Sequence, residues 1–135
     1  VEKEIKFGAK SDEYADEIAE KFGVKHLYAR HPQSLSEGQK RRVSIAAVVA
    51  TDPEVLILDE PTVGQDYKGL CEMVEVLNKL HEETHNTMIT VTHDKRCAAA
   101  LCDRSVWIKD GKTYKTGGKT LVNEFFENQS ANSKN

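Results

Sequence analysis

The stretch formed by residues 35–66 constrains the fold more than any other part of the sequence. Near its start, Ser36 and Gln39 form an S-x-x-Q capping box, which predicts a helix over residues 38–50. Gly38 lies beside the start of this helix. Because the first N–H groups of a helix have no partner within it, such a start favours an anion such as phosphate.

A predicted strand follows this helix within the same stretch. Residues 55–58 are four consecutive apolar residues, and Asp59 and Glu60 come directly after them. Such a run is typical of a strand that is buried on both faces of a parallel sheet. Its carboxylates would emerge at the carboxyl end of the sheet, where open α/β sheets bind ligands. The helix suits an anion and the strand suits a cation, so together they suit nucleotide phosphates with Mg²⁺.

The composition limits the classes of function. Of the 135 residues, 39% are hydrophobic and 30% are charged, which fits one small globular domain. The net charge of −3 provides no general basic field for nucleic acid. The three cysteines form no C-x-x-C pair, which argues against a disulfide framework. The sequence begins without Met or a signal-peptide pattern, so we expect a piece of a longer chain.

Capping residues and hydrophobic spacing predict alternating helices and strands around the central stretch. Residues 1–10 are expected to be extended or irregular. The further predicted elements are helices over 12–22, 67–83, 95–101 and 121–126 and strands over 87–91, 104–108 and 112–116. The last two strands are joined by a turn at Asp110 and Gly111. This order predicts an α/β fold with a largely parallel sheet, followed by a disordered polar tail at 128–135.

The motifs of the central stretch, in this order and spacing, resemble those of an ATP-binding-cassette (ABC) ATPase. Residues 35–39 (Leu-Ser-Glu-Gly-Gln) resemble its signature motif, and residues 55–60 resemble its Walker B strand. Residues 61–66 (Pro-Thr-Val-Gly-Gln-Asp) resemble its D-loop, and His93 stands where the family has its H-loop histidine. The resemblance covers about residues 1–120 and looks like the C-terminal half of one such domain.

This resemblance implies a fold class and a division of the chain. The fold would be α/β, the distal part of a RecA-like P-loop NTPase sheet with part of the ABC helical (signature) subdomain. Residues 1–37 would be a partial helical subdomain that leads into the signature motif. Residues 38–121 would be the distal RecA-like ATPase core, and residues 122–135 a short helix and disordered tail.

The resemblance also implies catalytic roles and the cofactors ATP and Mg²⁺. Asp59 would hold Mg²⁺ through water. Glu60 would be the base that positions the attacking water, and His93 would contact the γ-phosphate. ATP hydrolysis requires both an oriented water and neutralised phosphate charge, which is the chemistry that these residues would supply.

Three residues of the signature motif would bind nucleotide across a subunit boundary. Ser36, Gly38 and Gln39 would contact the γ-phosphate of an ATP held by a second ABC ATPase subunit, in a homodimer or a heterodimer. Asp66 of the D-loop would link the two composite sites. Glu37 stands where the family usually has glycine, and its carboxylate would weaken anion binding if it pointed inward.

The function implied by the resemblance is that of a transporter subunit. Such a subunit couples ATP hydrolysis to transport across a membrane, lies on the cytoplasmic side of that membrane, and binds transmembrane transporter subunits. No nucleic acid is expected as a partner. Gln65, in the sequence Gly-Gln-Asp, resembles the ATPases of energy-coupling-factor importers. Two alternatives stay open: a non-transport ABC ATPase associated with DNA or ribosomes, and an inactive ABC half that serves as an interaction module.

Two further sequence patterns bear on these hypotheses. The Walker A loop G-x-x-x-x-G-K-[ST] is absent, since residues 118–120 (Gly-Lys-Thr) have Thr113 where the loop needs glycine. The 135-residue chain alone is therefore expected to lack meaningful ATPase activity. His81 and His85 match H-E-x-x-H, but they lie at a predicted helix end with no third ligand, so a zinc protease is disfavoured.

Overall fold

The computed structural model describes residues 1–132, which form two compact units. The first unit is Val1–Val91, and the second begins at Thr92. The predicted helices and strands all form, and they follow one another in the predicted order. The prediction of one largely parallel sheet is wrong for the described residues, which contain a parallel pair of strands and a separate antiparallel pair.

The first unit contains four helices around one parallel pair of strands. The helices are α1 (Glu2–Lys6), α2 (Asp12–Lys21), α3 (Glu37–Val49) and α4 (Tyr67–Thr84), with 3₁₀ turns at Lys25–Leu27 and Pro32–Ser34. Strands β1 (Val55–Asp59) and β2 (Thr87–Val91) pair in parallel, with Ile57 opposite Ile89. Because parallel neighbours need a crossover connection, α4 lies between them in the chain.

Local capping and periodicity account for the predicted helices of this unit. Ser11 begins α2, since its hydroxyl oxygen accepts a hydrogen bond of 3.1 Å from the backbone N–H of Tyr14. Ile18 and Phe22 recur on one face of α2 and are buried. α4 buries the leucines at its helical spacing in the same way, Leu70, Leu77 and Leu80 among them.

The expectation of an irregular segment at residues 1–10 is wrong, because α1 forms there. Ile5 is fully buried, and α1 packs against α3. The Lys6 ammonium lies 3.0 Å from the Glu2 carboxylate one turn away, and 3.5 Å from the carboxylates of Asp12 and Asp16 on α2. Tertiary contacts therefore stabilise a helix that is too short to form by itself.

The expectation that residues 55–58 are buried on both faces is also wrong. Leu56 and Leu58 point into the core and are 1% and 5% exposed, whereas Val55 and Ile57 are 51% and 66% exposed. Side chains of a strand alternate between the two faces of its sheet. Within the first unit the helices cover only one of these faces, so the apolar residues on the other face remain accessible.

The second unit consists of a helix, a hairpin and a longer helix. Its elements are α5 (Lys95–Leu101), β3 (Ser105–Lys109), β4 (Lys112–Gly117) and α6 (Lys119–Asn132). The hairpin turn is confirmed, since Asp110 and Gly111 have φ values of 50° and 72°. Two adjacent residues with positive φ make the tight turn whose twist matches the flanking strands. No helix among residues 1–132 is long and apolar enough to cross a membrane.

The last helix is longer than predicted, and the expected disorder at residues 128–135 is wrong as far as Asn132. The rings of Phe125 and Trp107 meet edge to face with their centroids 5.1 Å apart, which holds α6 against the hairpin. Farther along, the side chain of Asn128 donates a hydrogen bond to the carbonyl of Glu124, one turn back. Residues 133–135, the rest of the predicted tail, lie outside the described residues.

We expect Leu77→Ala to lower the free energy of unfolding of the chain by about 2–5 kcal/mol, because Leu77 is fully buried in α4 and its loss leaves a cavity. Urea unfolding followed by circular dichroism measures this change. Val48→Ala is the control, since Val48 is 51% exposed on α3. Equal losses for the two variants would contradict the assignment of Leu77 to the core.

Candidate functional site

The start of α3 carries the predicted capping box in full. The Ser36 hydroxyl oxygen accepts from the Gln39 backbone N–H at 3.2 Å, and the Gln39 side-chain oxygen accepts from the Ser36 backbone N–H at 3.1 Å. The Ser36 side chain is exposed. Its O–H and the Gln39 amide NH₂ are therefore the groups of this box that can donate to a phosphate.

Glu37 lies on the outside of the first turn of α3. Its side chain is 79% exposed, and its carboxylate accepts a hydrogen bond of 2.7 Å from the Lys40 ammonium. This hydrogen bond lowers the pKa of the Glu37 carboxyl. The negative charge is therefore paired with a cation at the surface, and the lysine offsets the repulsion that Glu37 would exert on an anion at this helix start.

The two adjacent carboxylates lie where β1 ends. Asp59 is the last residue of the strand and is exposed, and Glu60 is half-buried. The Glu60 backbone N–H donates to the carbonyl of Val91, the last residue of β2, at 2.8 Å. Glu60 has a φ of 49°, an unfavourable conformation for a residue with a side chain. Strained residues of this kind cluster at functional sites, and here the hydrogen bond holds the strand end in place.

Asp59 fits the way in which proteins hold Mg²⁺ beside a nucleotide. Such a site uses one or two carboxylates together with phosphate oxygens and water. Among residues 1–132 no group of three or more His, Cys, Asp or Glu side chains is arranged to hold a metal by protein ligands alone. Asp59 is a carboxylate exposed at the end of a parallel strand, and it suits a site in which phosphate oxygens and water supply the other ligands of Mg²⁺.

The segment between β1 and α4, residues 61–66, turns at Gly64, which has a φ of 78°. Asp66 ends it and caps α4, since its side-chain oxygen accepts from the Gly69 backbone N–H at 2.7 Å. Asp66 thus has a structural role, and its exposed position leaves its second carboxylate oxygen accessible. The structure brings this segment and the start of α3 together, since the Gln65 side chain donates to the Gly38 carbonyl at 2.8 Å.

His93 lies in the second compact unit, directly before α5. It is exposed. The next residue, Asp94, caps α5 by accepting from the backbone N–H groups of Arg96 and Cys97 at 2.8 and 3.2 Å. The cap defines where the helix begins, and the loop that carries His93 leads directly into it. The Asp94 carboxyl pKa is lowered, mainly by its hydrogen bond with the Arg96 guanidinium.

The H-E-x-x-H pattern does not have the geometry of a zinc helix. α4 ends at Thr84, and His85 adopts a left-handed conformation with a φ of 52°. The two histidines therefore do not lie on one continuous helix. His81 Nδ1 lies 2.9 Å from the backbone carbonyl oxygen of Asn86, so this ring nitrogen is used in closing the helix end.

Sequence reasoning missed two residues that touch the site. Arg42 donates from Nε to the Gln65 side-chain oxygen at 3.1 Å, and from Nη2 to the Gly69 carbonyl at 3.2 Å. Arg42 ends the run Lys40-Arg41-Arg42, and three basic residues on a helix usually indicate a solvated face or neighbours of a phosphate. Gly69 offered a signal, because glycine is unfavourable inside a helix and therefore indicates a close contact.

Comparisons with known proteins support the resemblance. Residues 1–63 match the family model described as ABC transporter. The Enterococcus faecalis "Energy-coupling factor transporter ATP-binding protein EcfA2" is 43% identical over 131 residues, which are 90% of this chain and 45% of the relative. A "Putative ABC transporter ATP-binding protein" of Methanopyrus kandleri is 48% identical over 78% of this chain and 39% of the relative. The chain thus spans less than half the length of these relatives.

Solved structures show the same similarity at the level of the fold. The ATP-binding cassette MJ0796, a dimer bound to ADP and Pi, matches with a TM-score of 0.72 and 32% identity over 80% of this chain and 47% of its own. The protein cbiO1 from Clostridium perfringens, part of the transporter complex cbiONQ, matches with a TM-score of 0.72 and 36% identity over 83% of this chain and 45% of its own.

Proposed function

This chain belongs to the ABC transporter ATPase family, and on that premise we propose that it forms part of a subunit that binds and hydrolyses ATP to drive transport across a membrane. The names of the relatives favour a transporter of the energy-coupling-factor type. The further partners are a second ABC ATPase subunit and transmembrane subunits, with the chain peripheral on the cytoplasmic side of the membrane. The proposed parts of the cassette are residues 1–37, 38–121 and 122–135.

One observation carries this proposal: residues 61–66 connect the carboxylate end of β1 to the capped start of α3 within one compact unit. An anion-binding helix start and a carboxylate strand end are both needed for phosphoryl chemistry. Because the hydrogen bond from Gln65 to Gly38 joins the two elements, both parts of the proposed site belong to one folded body.

In the proposed mechanism each residue has a separate task. Glu60 accepts a hydrogen bond from the attacking water and orients it toward the γ-phosphorus. His93 donates a hydrogen bond to the γ-phosphate. Asp59 would hold Mg²⁺ through water, and the ion would supply the positive charge that neutralises the phosphates.

The remaining residues act on the nucleotide of the second subunit. The Ser36 hydroxyl and the Gln39 side-chain NH₂ donate to its γ-phosphate, and Gly38 lets the phosphate approach the helix start closely. Asp66 connects the two composite sites. The dimeric cassette MJ0796, bound to ADP and Pi, provides the precedent for a paired arrangement.

The test is a fusion cassette, in which the part of MJ0796 that this chain does not match precedes residues 1–135. We expect the fusion cassette to hydrolyse ATP and the 135-residue chain alone to show no turnover above background. The reason is that the chain has no Walker A loop, whose amides and lysine hold the β- and γ-phosphates. Phosphate release at saturating ATP and Mg²⁺ measures both.

A fusion cassette whose P-loop lysine, from the MJ0796 half, is replaced by alanine is the control for contaminating ATPases. Two results would overturn the proposal. One is turnover by the 135-residue chain equal to that of the fusion cassette. The other is a folded fusion cassette that binds ATP without hydrolysing it.

A further inference from the structure

The side-chain amide of Gln65 joins residues 61–66 to α3 at two points. Its NH₂ group donates to the Gly38 carbonyl in the first turn of α3 at 2.8 Å, and its oxygen accepts from Arg42 Nε at 3.1 Å. Both ends of the amide are therefore hydrogen-bonded, and the side chain is held in one orientation. An apolar side chain of similar size would satisfy neither partner.

Arg42 carries this connection on to α4. Besides Gln65, its guanidinium donates to the Gly69 carbonyl at 3.2 Å and to the Glu72 carboxylate at 2.8 Å. The Arg42 side chain is only 18% exposed. Because a guanidinium presents its donors in a planar fork, the three bonds fix Gln65 relative to α4 as well as to α3.

Two glycines make room for this contact. A Cβ atom on Gly38 would lie 2.8 Å from the Gly64 carbonyl oxygen, and a Cβ atom on Gly69 would lie 2.6 Å from the Gln65 side-chain oxygen. Side chains do not approach other heavy atoms this closely. Glycine is unfavourable in a helix, so a glycine there needs a reason. In the first turns of α3 and α4 the reason is the close approach of residues 61–66 to the helix backbone.

We propose that Gln65 is a positioning residue that joins the start of α3 to residues 61–66, so that Ser36 and Asp66 are presented to the partner subunit's nucleotide as one rigid surface. This inference rests on the proposed function. When Gln65 is replaced, the proposed base Glu60 at the end of β1 and the proposed phosphate donor, the Ser36 hydroxyl, are both still present. The replacement changes the orientation of the α3 start toward the γ-phosphate. It therefore raises the ATP concentration needed for half-maximal hydrolysis and leaves the rate of the chemical step nearly unchanged.

Two variants remove the connection in different ways. Gln65→Leu deletes both hydrogen bonds. Gly69→Ala keeps the glutamine at position 65 but places a methyl group only 2.6 Å from its side-chain oxygen, which must then move, while alanine favours the α4 helix. If Gly69→Ala is well folded and its α3 start is nevertheless loosened, the effect comes from the lost position of Gln65 and not from a lower stability of the whole chain. Gln129→Leu, an exposed glutamine on α6, is the matched control.

The first measurement is amide hydrogen exchange in the 135-residue chain, without nucleotide. The backbone N–H groups of Gln39 and Lys40 donate to the Ser36 hydroxyl and carbonyl oxygens, so their exchange reports on the α3 start. We expect about tenfold faster exchange at these two amides in Gln65→Leu and Gly69→Ala, from the loss of one or two hydrogen bonds, and no change in Gln129→Leu.

The second measurement is the ATP dependence of hydrolysis by the fusion cassette. We expect KM for ATP to rise about tenfold in both variants, with kcat within about threefold of the unaltered fusion. Unchanged exchange at Gln39 and Lys40 would overturn the inference, and so would faster exchange with an unchanged KM. If the unaltered fusion cassette binds ATP but hydrolyses none, the proposed function fails, and the exchange measurement still decides whether Gln65 holds the α3 start.

Discussion

Glu60→Gln in the fusion cassette is expected to bind ATP normally and to hydrolyse it about 10²- to 10⁴-fold more slowly, the usual effect of losing a positioned base. The amide preserves the size of the side chain but cannot accept a proton from water. The hydrogen bond that the Glu60 backbone N–H donates to the Val91 carbonyl does not involve the side chain, so the substitution leaves this bond at the end of β1 unchanged. Phosphate release under single-turnover conditions measures the chemical step.

The matched control is Glu54→Gln, an exposed glutamate just before β1, for which we expect the rate of the unaltered fusion cassette. Binding of a fluorescent ATP analogue shows that each variant still takes up nucleotide. Hydrolysis by Glu60→Gln at the unaltered rate would show that Glu60 is not the base.

Ser36→Asp is expected to abolish the ATP-dependent dimer that accumulates when hydrolysis is blocked by Glu60→Gln. Aspartate is as good an N-cap as serine, so α3 still begins at the same place. Its carboxylate would face the γ-phosphate of the partner subunit, and two like charges about 4 Å apart repel by about 1–4 kcal/mol at effective dielectric constants between water and a protein surface. Size-exclusion chromatography with ATP and Mg²⁺ measures the dimer.

Ser44→Asp places the same charge on the exposed face of α3, away from its start, and is expected to leave the dimer intact. The comparison separates repulsion of the phosphate from a general effect of added charge. A stable ATP-dependent dimer of the Ser36→Asp variant would contradict the assigned role of the α3 start.

Several elements could be predicted because their cause is local. Ser36 and Gln39 are three residues apart, so their reciprocal hydrogen bonds form wherever the chain turns into a helix. Asp110 and Gly111 tolerate positive φ and make the hairpin turn by themselves. In these cases the chemistry of a few neighbouring residues determines the backbone, and the fold around them adds little.

Two elements could not be predicted because their cause is distant in the chain. α1 has five residues and depends on the burial of Ile5 and on the contact of Lys6 with Asp12 and Asp16. The apolar run of β1 suggests burial on both faces, but hydrophobicity does not say which elements cover a sheet. Exposure of Ile57 is therefore a property of the assembled unit.

The candidate site likewise has features that could be predicted from the sequence and features that depend on distant contacts. The motifs that contain Ser36, Asp59, Glu60 and His93 established the resemblance to ABC ATPases from the sequence alone, and the catalytic roles that follow from it stay predictions. Only the tertiary structure decided that Gln65 joins residues 61–66 to α3, because its hydrogen bonds to Gly38 and Arg42 span 27 and 23 residues of chain. A hydrogen bond depends on distance and direction in space, and neither can be read from separation along the sequence.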